Sequence, residues 1–212
     1  NMIVMIGGRP RAVMHYWCGV YPGRIGALMS PQNEWPQERW MLHALDNGAF
    51  PAWTKGEAWD EGPFYAMLER LRGRTHKPKW IAVPDVVADR EKTLRSWFLH
   101  SPRVAAFGCP LAFVVQDGMT PADIPPNADV VFVGGTTEWK WKNLRLWTEN
   151  HPRVHVGRVN TERMLWMAHE AGSESTDGTG WFRGDKNQLA GLERYLEEST
   201  KGRQQTTLSL CL

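Results

Sequence analysis

Apolar residues in this chain come in short runs, and each run stops abruptly at a polar or glycine cluster. Eight runs rich in β-branched or apolar residues predict strands near 2–6, 25–29, 43–46, 80–84, 111–116, 129–133, 153–157 and 173–177. Between the later runs the apolar spacing lengthens to a helical period. Behind Pro63, which suits a first helical turn, Phe64, Met67, Leu68 and Leu71 form one face and Gly73 a stop. Asp89 can cap a helix with Leu94, Trp97 and Phe98 inward, expected to end before Pro102. Asn160 or Thr161 can cap the next, with Met164, Leu165, Ala168 and Ala171 as its stripe and Gly172 at its end. A last helix is expected over 187–198, with Leu189, Leu192 and Leu196 inward.

Strands that alternate with helices pair in parallel through right-handed crossovers. Eight of them predict an α/β fold, a compact (β/α)8 TIM-type barrel in one domain over 1–198, with 199–212 as a flexible tail. An open doubly wound sheet is the competing architecture. The first third is less periodic, and no strong helix is visible between the first two strands.

Composition narrows the class of protein. At 212 residues, 42% hydrophobic and 23% charged, the chain is an ordinary globular one. It has no apolar stretch approaching the roughly 18–20 residues of a membrane span. The N-terminal apolar run is too short for a signal peptide, so a cytoplasmic protein is expected. Cys18, Cys109 and Cys211 are too few and too scattered for a disulfide framework or a cysteine-rich zinc site. The seven histidines never take metal-ligand spacing, so neither metal nor cofactor is expected. A net charge of +2 permits a nucleic-acid partner without demanding one. Tryptophan is abundant, at 12 copies. Most are expected in the core. Trp35, Trp53, Trp59, Trp139 and Trp141 stand beside charges and turns, where aromatics could stack on bases.

The chemistry sits at the ends of the runs, where a parallel barrel keeps its active site. Asp46 follows a strand in LDNGAF, Asp85 follows one in VPDVV, and Asp177 closes the last in SESTDGTG. An aspartate among small hydroxyls and glycines is sterically open enough to act as a nucleophile, although Asp-Gly is also a common turn. Asp85 lies between apolar flanks, where an acid needs a partner or carries a raised pKa. Gln116 ends an apolar strand and can bond a flat polar ligand or loop backbone. Gly134 and Gly135 let main chain approach a ligand, or simply make a tight turn. His155, between Val154 and Val156, reads as a satisfied interior histidine.

Taken in order, LDNGAF, VPDVV, FVVQDG, VFVGG and HVGRVNTERMLWMAHEAGSESTD resemble the tRNA-guanine transglycosylase superfamily over roughly residues 40–180. Within it they are most similar to the short phage and bacterial 7-deazaguanine DNA transglycosylases. The resemblance implies Asp177 as nucleophile on the anomeric carbon and Asp46 as general acid/base. It implies Asp85, Gln116, Gly134 and Gly135 as readers of the base edge, with Asn47, Gly48, Phe50 and Gly157 completing the substrate site. The implied reaction replaces guanine in DNA with a preQ0-type 7-deazaguanine. A folded tRNA or a free nucleoside or nucleotide is the alternative partner. The same site could instead serve an N-glycosidase or nucleoside hydrolase, and a barrel that only binds nucleic acid is the non-catalytic alternative. Two departures point away from tRNA. The segment after Asp177 has only Cys211 and no histidine where the family's zinc subdomain has three cysteines and a histidine, and Ala49 replaces the second glycine of the base-site turn.

Overall fold

The eight predicted strand segments form eight parallel strands that close on themselves in a computed structural model describing residues 2–8, 12–34 and 38–201. They are β1 (Ile3–Gly7), β2 (Ile25–Met29), β3 (Leu42–Leu45), β4 (Ile81–Ala82), β5 (Leu111–Val115), β6 (Val130–Val133), β7 (Val154–Val156) and β8 (Ser175–Gly178). Each strand pairs with the next in sequence, and β8 returns to β1 with Met5 opposite Asp177. The fold is a (β/α)8 barrel. Strand β4 is only two residues long and meets β3 through the single pair Leu45 and Ile81. Pro84, which has no N–H to donate, cuts it short of the expected 80–84.

Helices α1 (Ala12–Val20), α2 (Ala49–Thr54), α3 (Glu61–Leu71), α4 (Arg90–Ala105), α5 (Thr137–Asn150), α6 (Glu162–Glu170) and α7 (Lys186–Lys201) wrap the strands. Among the described residues no helix joins β2 to β3. A single 3-10 turn, Pro121–Asp123, stands between β5 and β6. These short connections explain how eight strands close in so few residues.

Side chains alternate between two faces along each strand. One set, including Ile3, Met5, Leu28, Trp80, Val114 and Phe132, fills the barrel interior. The other packs outward against the helices around Trp17, Phe64, Trp97, Trp147, Leu165 and Leu196.

Several expectations are corrected. Helix α1 occupies the gap between β1 and β2; Met14, Trp17 and Cys18, three and four apart, are its buried face. Helix α4 runs through Pro102 to Ala105, and Phe98 points outward at 75% exposure while Trp97 is buried. The proline falls in the last turns of α4, beside the exposed Phe98. Helix α7 continues past 198 because Arg24 donates to Ser199 Oγ at 2.6 Å and Thr200 Oγ1 at 2.9 Å. Residues 202–212, and with them Cys211, lie outside the described residues.

The tryptophans are mainly structural. Trp17, Trp80, Trp97, Trp147, Trp166 and Trp181 are buried, and truncating such a residue typically costs about 3–5 kcal/mol. Trp139 and Trp141 belong to α5 and pack partly against the core instead of forming an open stacking surface. Trp59 donates its indole N–H to the Asn47 carbonyl at 2.9 Å. Trp53 is exposed as expected; Trp35 lies outside the described residues.

Candidate active site

The C-terminal ends of all eight strands surround one cavity of about 200 Å³. Asp46, Asp85 and Asp177 all line it, joined by Asn47, Phe50, Gln116, Gly134, Gly135 and Gly157. Gly48 does not. It stands behind the wall in a left-handed conformation, φ 79°, as the N-cap of α2, and its N–H donates to Asp46 Oδ2 at 3.2 Å. The volume falls below the roughly 300–1,000 Å³ of sites for drug-sized ligands, which suits one ring system.

Asp177 is a strand residue, not the tip of a turn. Its register opposite Met5 turns it into the barrel, where it is 7% exposed. His155 sits inside on the neighbouring strand, wholly buried, with its ring centroid 4.7 Å from that of Trp80 and 4.5 Å from that of Phe132. Its Nε2 is 3.0 Å from Asp177 Oδ1 and its Nδ1 2.8 Å from Ser175 Oγ. An ionised carboxylate only accepts, so Nε2 carries the proton and Nδ1 accepts from the serine hydroxyl. The main-chain N–H of Arg158 also donates to Oδ1, at 3.3 Å. Both donors therefore address one oxygen. Oδ2 has no hydrogen-bond partner among the described residues.

Gly157 makes room for this arrangement. A Cβ there would stand 2.7 Å from Phe132 Cε2 and 3.4 Å from Asp177 Oδ1. The turn after it is pinned by Lys140, which is 1% exposed and donates its ammonium to the Gly157 carbonyl. Burial, aided by the Arg158 charge, brings that lysine down to about 8. Lys140 stands between Trp139 and Trp141 in the sequence WKWK, and it braces the site from behind.

Asp85 is held from both sides. Asn47 Nδ2 donates to its Oδ1 at 2.8 Å, and Gln116 Nε2 to its Oδ2 at 2.6 Å. Burial raises its carboxyl to about 6, against the lowering effect of these donors, its own main-chain N–H and Arg158. Gln116 Oε1 accepts from the main-chain N–H of Ala88 at 2.9 Å and of Gly135 at 3.0 Å. Asn47 Oδ1 accepts from Ala49 N at 2.8 Å. The Gly135 carbonyl accepts from Arg158 Nη2. Gln116, Asn47 and Gly135 are thus committed to other protein groups, and they orient Asp85 and the wall around it.

Asp46 is different. It is half-buried, and among the described residues its carboxylate is held by main-chain N–H groups alone, that of Gly48 at 3.2 Å. Burial first, then the charges of Asp85 and Asp177, raise its carboxyl to about 7; the N–H groups of Gly48 and Asn47 only partly oppose this. An acid with a pKa near neutrality can both give and take a proton.

Sequence reasoning missed three groups here: the pairing of His155 with Asp177, Arg158, and Lys140. The alternation of Val154, His155 and Val156 put the histidine inside, but only strand register put it beside Ser175 and Asp177.

No family model and no curated protein matches this chain. Among solved structures, one described as native KDPGal is 11% identical, covers 95% of this chain and 98% of its own, and superposes with a TM-score of 0.53. The Amycolatopsis orientalis BexX/CysO complex is 14% identical, with 96% and 93% covered and a TM-score of 0.57. At such identities the likeness concerns the barrel fold alone.

Proposed function

We propose that this protein is an enzyme, a base-exchanging transglycosylase that replaces guanine in DNA with a 7-deazaguanine through a covalent glycosyl ester on Asp177. One observation carries the reading. Three acids from distant parts of the chain line a cavity sized for one ring system.

In the first step Asp177 Oδ2 attacks the anomeric carbon, the glycosidic C–N bond breaks, and Asp46 gives its proton to the departing base. Splitting one hard displacement into two easier ones is the advantage of a covalent intermediate. In the second, Asp46 takes the ring N–H proton of the incoming base. The freed nitrogen attacks the anomeric carbon and releases the Asp177 carboxylate. Asp85, braced by Asn47 and Gln116, retains lone pairs for the donor edge of guanine. Trp53, 51% exposed with its ring centroid 5.8 Å from that of Phe50 at the cavity wall, offers a platform for a neighbouring base. A target within a duplex must be flipped out, at a cost of about a few kcal/mol.

The test is incubation of the protein with guanine-containing DNA and a radiolabelled 7-deazaguanine. Incorporation of label with release of an equal amount of guanine is the expected result. Release of guanine without any incoming base would replace exchange by hydrolysis. DNA binding with no turnover would remove the enzymatic reading.

His155 acts as a positioning residue in this scheme. His155→Phe keeps an aromatic ring between Trp80 and Phe132 but removes the donor to Asp177. Misplacing a reacting group slightly can cost about 100-fold, so kcat should fall by roughly that factor while KM for DNA changes little. His155→Gln, which retains an N–H, should recover part of it. An unchanged kcat in the Phe variant would remove His155 from the mechanism.

A further inference from the structure

Arg158 is the single cationic side chain among the residues that line the cavity, and its situation is unusual. Its backbone is left-handed, φ 59°, a strained conformation for a residue with a Cβ. That conformation directs its N–H to Asp177 and its side chain across the site. The guanidinium lies 4.4 Å from the centroid of the Phe50 ring and donates through Nη2 to the Gly135 carbonyl. Phe50 belongs to α2, Gly135 follows β6, and Arg158 follows β7. One side chain therefore bridges three strand-end segments at the site.

A guanidinium carries five N–H donors in a rigid fork. Here one is used, on a neutral carbonyl, and no ion pair joins Arg158 to a carboxylate among the described residues. A half-buried cation with most of its fork unfilled is a place for an anion with several acceptor oxygens. The three acids of the cavity exclude an anion from its interior, so the anionic part of a ligand belongs at the rim. Thr179, exposed in the loop after β8, lines the same cavity and adds a hydroxyl. Loops after the seventh and eighth strands of such barrels frequently hold phosphate.

We propose that Arg158, assisted by Thr179, binds the phosphate ester attached to the sugar whose base is exchanged. The protein then selects nucleotides and polynucleotides over free nucleosides. This inference rests on the base-exchange reading, and it defines the substrate class of the same site.

The experiment measures binding of deoxyguanosine and of its 5′- and 3′-monophosphates by calorimetry, to wild type, Arg158→Gln, Arg158→Lys and Thr179→Val. Hydrogen bonds to charged groups are worth roughly 1.5–3 kcal/mol, so wild type should bind one monophosphate about 10–100-fold tighter than the nucleoside. Arg158→Gln should erase that preference, and Arg158→Lys should restore part of it. Thr179→Val, at an exposed position, keeps the test decisive if the arginine variants fold poorly; it should weaken the preference several-fold. Equal affinity of wild type for nucleoside and nucleotides, or a preference that survives Arg158→Gln, overturns the phosphate site and leaves base exchange standing. Binding of none of the three compounds by wild type overturns the base-exchange reading, and the phosphate site with it.

Discussion

Asp177→Asn is expected to lower incorporation of labelled base by about 10³-fold or more, the scale seen when a covalent nucleophile is removed. The asparagine oxygen can still accept from His155 Nε2 and from the Arg158 N–H, so the barrel should fold and DNA binding should persist. What disappears is the carboxylate oxygen that would form the proposed ester. The second readout is therefore a covalent one. Wild type quenched in denaturant during turnover should carry a fraction of the DNA as a protein adduct, and the asparagine variant should carry none. An adduct that still forms, or incorporation at the wild-type rate, would remove Asp177 as nucleophile.

Asp46→Asn is expected to move activity and stability in opposite directions. A positioned acid/base contributes roughly 10²–10⁴-fold, and an amide cannot exchange the proton, so turnover should drop by that factor. Stability should rise, because burial and two neighbouring carboxylates penalise the ionised form of Asp46 in the folded protein. The sign follows from linkage. The folded carboxyl titrates at about 7 against an ordinary value of 3.8, so the native state holds the proton more tightly than the unfolded chain. Stability associated with this group is complete below about pH 4 and is lost as pH rises to about 7. Asp85, raised to about 6, adds a loss of the same sign that ends nearer pH 6. Asparagine at 46 is insensitive to pH, so the variant should match wild type at pH 4 and exceed it at pH 8. Allowing for partial exposure, the gain is on the order of 2 kcal/mol. Chemical denaturation at the two pH values measures it. A variant no more stable than wild type at pH 8 would mean that Asp46 is not strained by its surroundings. On the proposed mechanism, Asp46 is protonated for departure of guanine and ionised for entry of the new base, so the optimum should lie near pH 7 and fall on both sides.

Both predictions concern acids that could be found by reading the ends of apolar runs. The strand that carries Asp177 was legible because small and polar residues lead into an aspartate after a capped, striped helix. Its alternative reading as an Asp-Gly turn fails because β1 and β7 both pair with that segment. Helix α1 was also present as Met14, Trp17 and Cys18 at helical spacing, but nine residues rich in aromatic and β-branched types make a weak signal. The WKWK segment misled for the opposite reason. Its composition resembles a nucleic-acid surface, while its period turns Lys140 towards the barrel and packs Trp139 against the core.

The sequence by itself determined the alternation of strands with helices, a parallel α/β fold and the strand ends that carry the polar clusters, while the pairing of β8 with β1 decided a closed barrel over an open sheet. The first three are local matters: a period of two or of about 3.6, a cap, a proline, and the rule that parallel strands alternate with crossovers. Only the tertiary structure decided what each candidate site residue touches. His155 meets Asp177 through strand register, Gln116 and Asn47 turn out to brace Asp85, and Arg158 crosses three strand-end segments. The proton affinity of Asp46 depends on how much water and how much negative charge surround it. Such quantities are set by distances between groups far apart along the chain, and no local pattern encodes them.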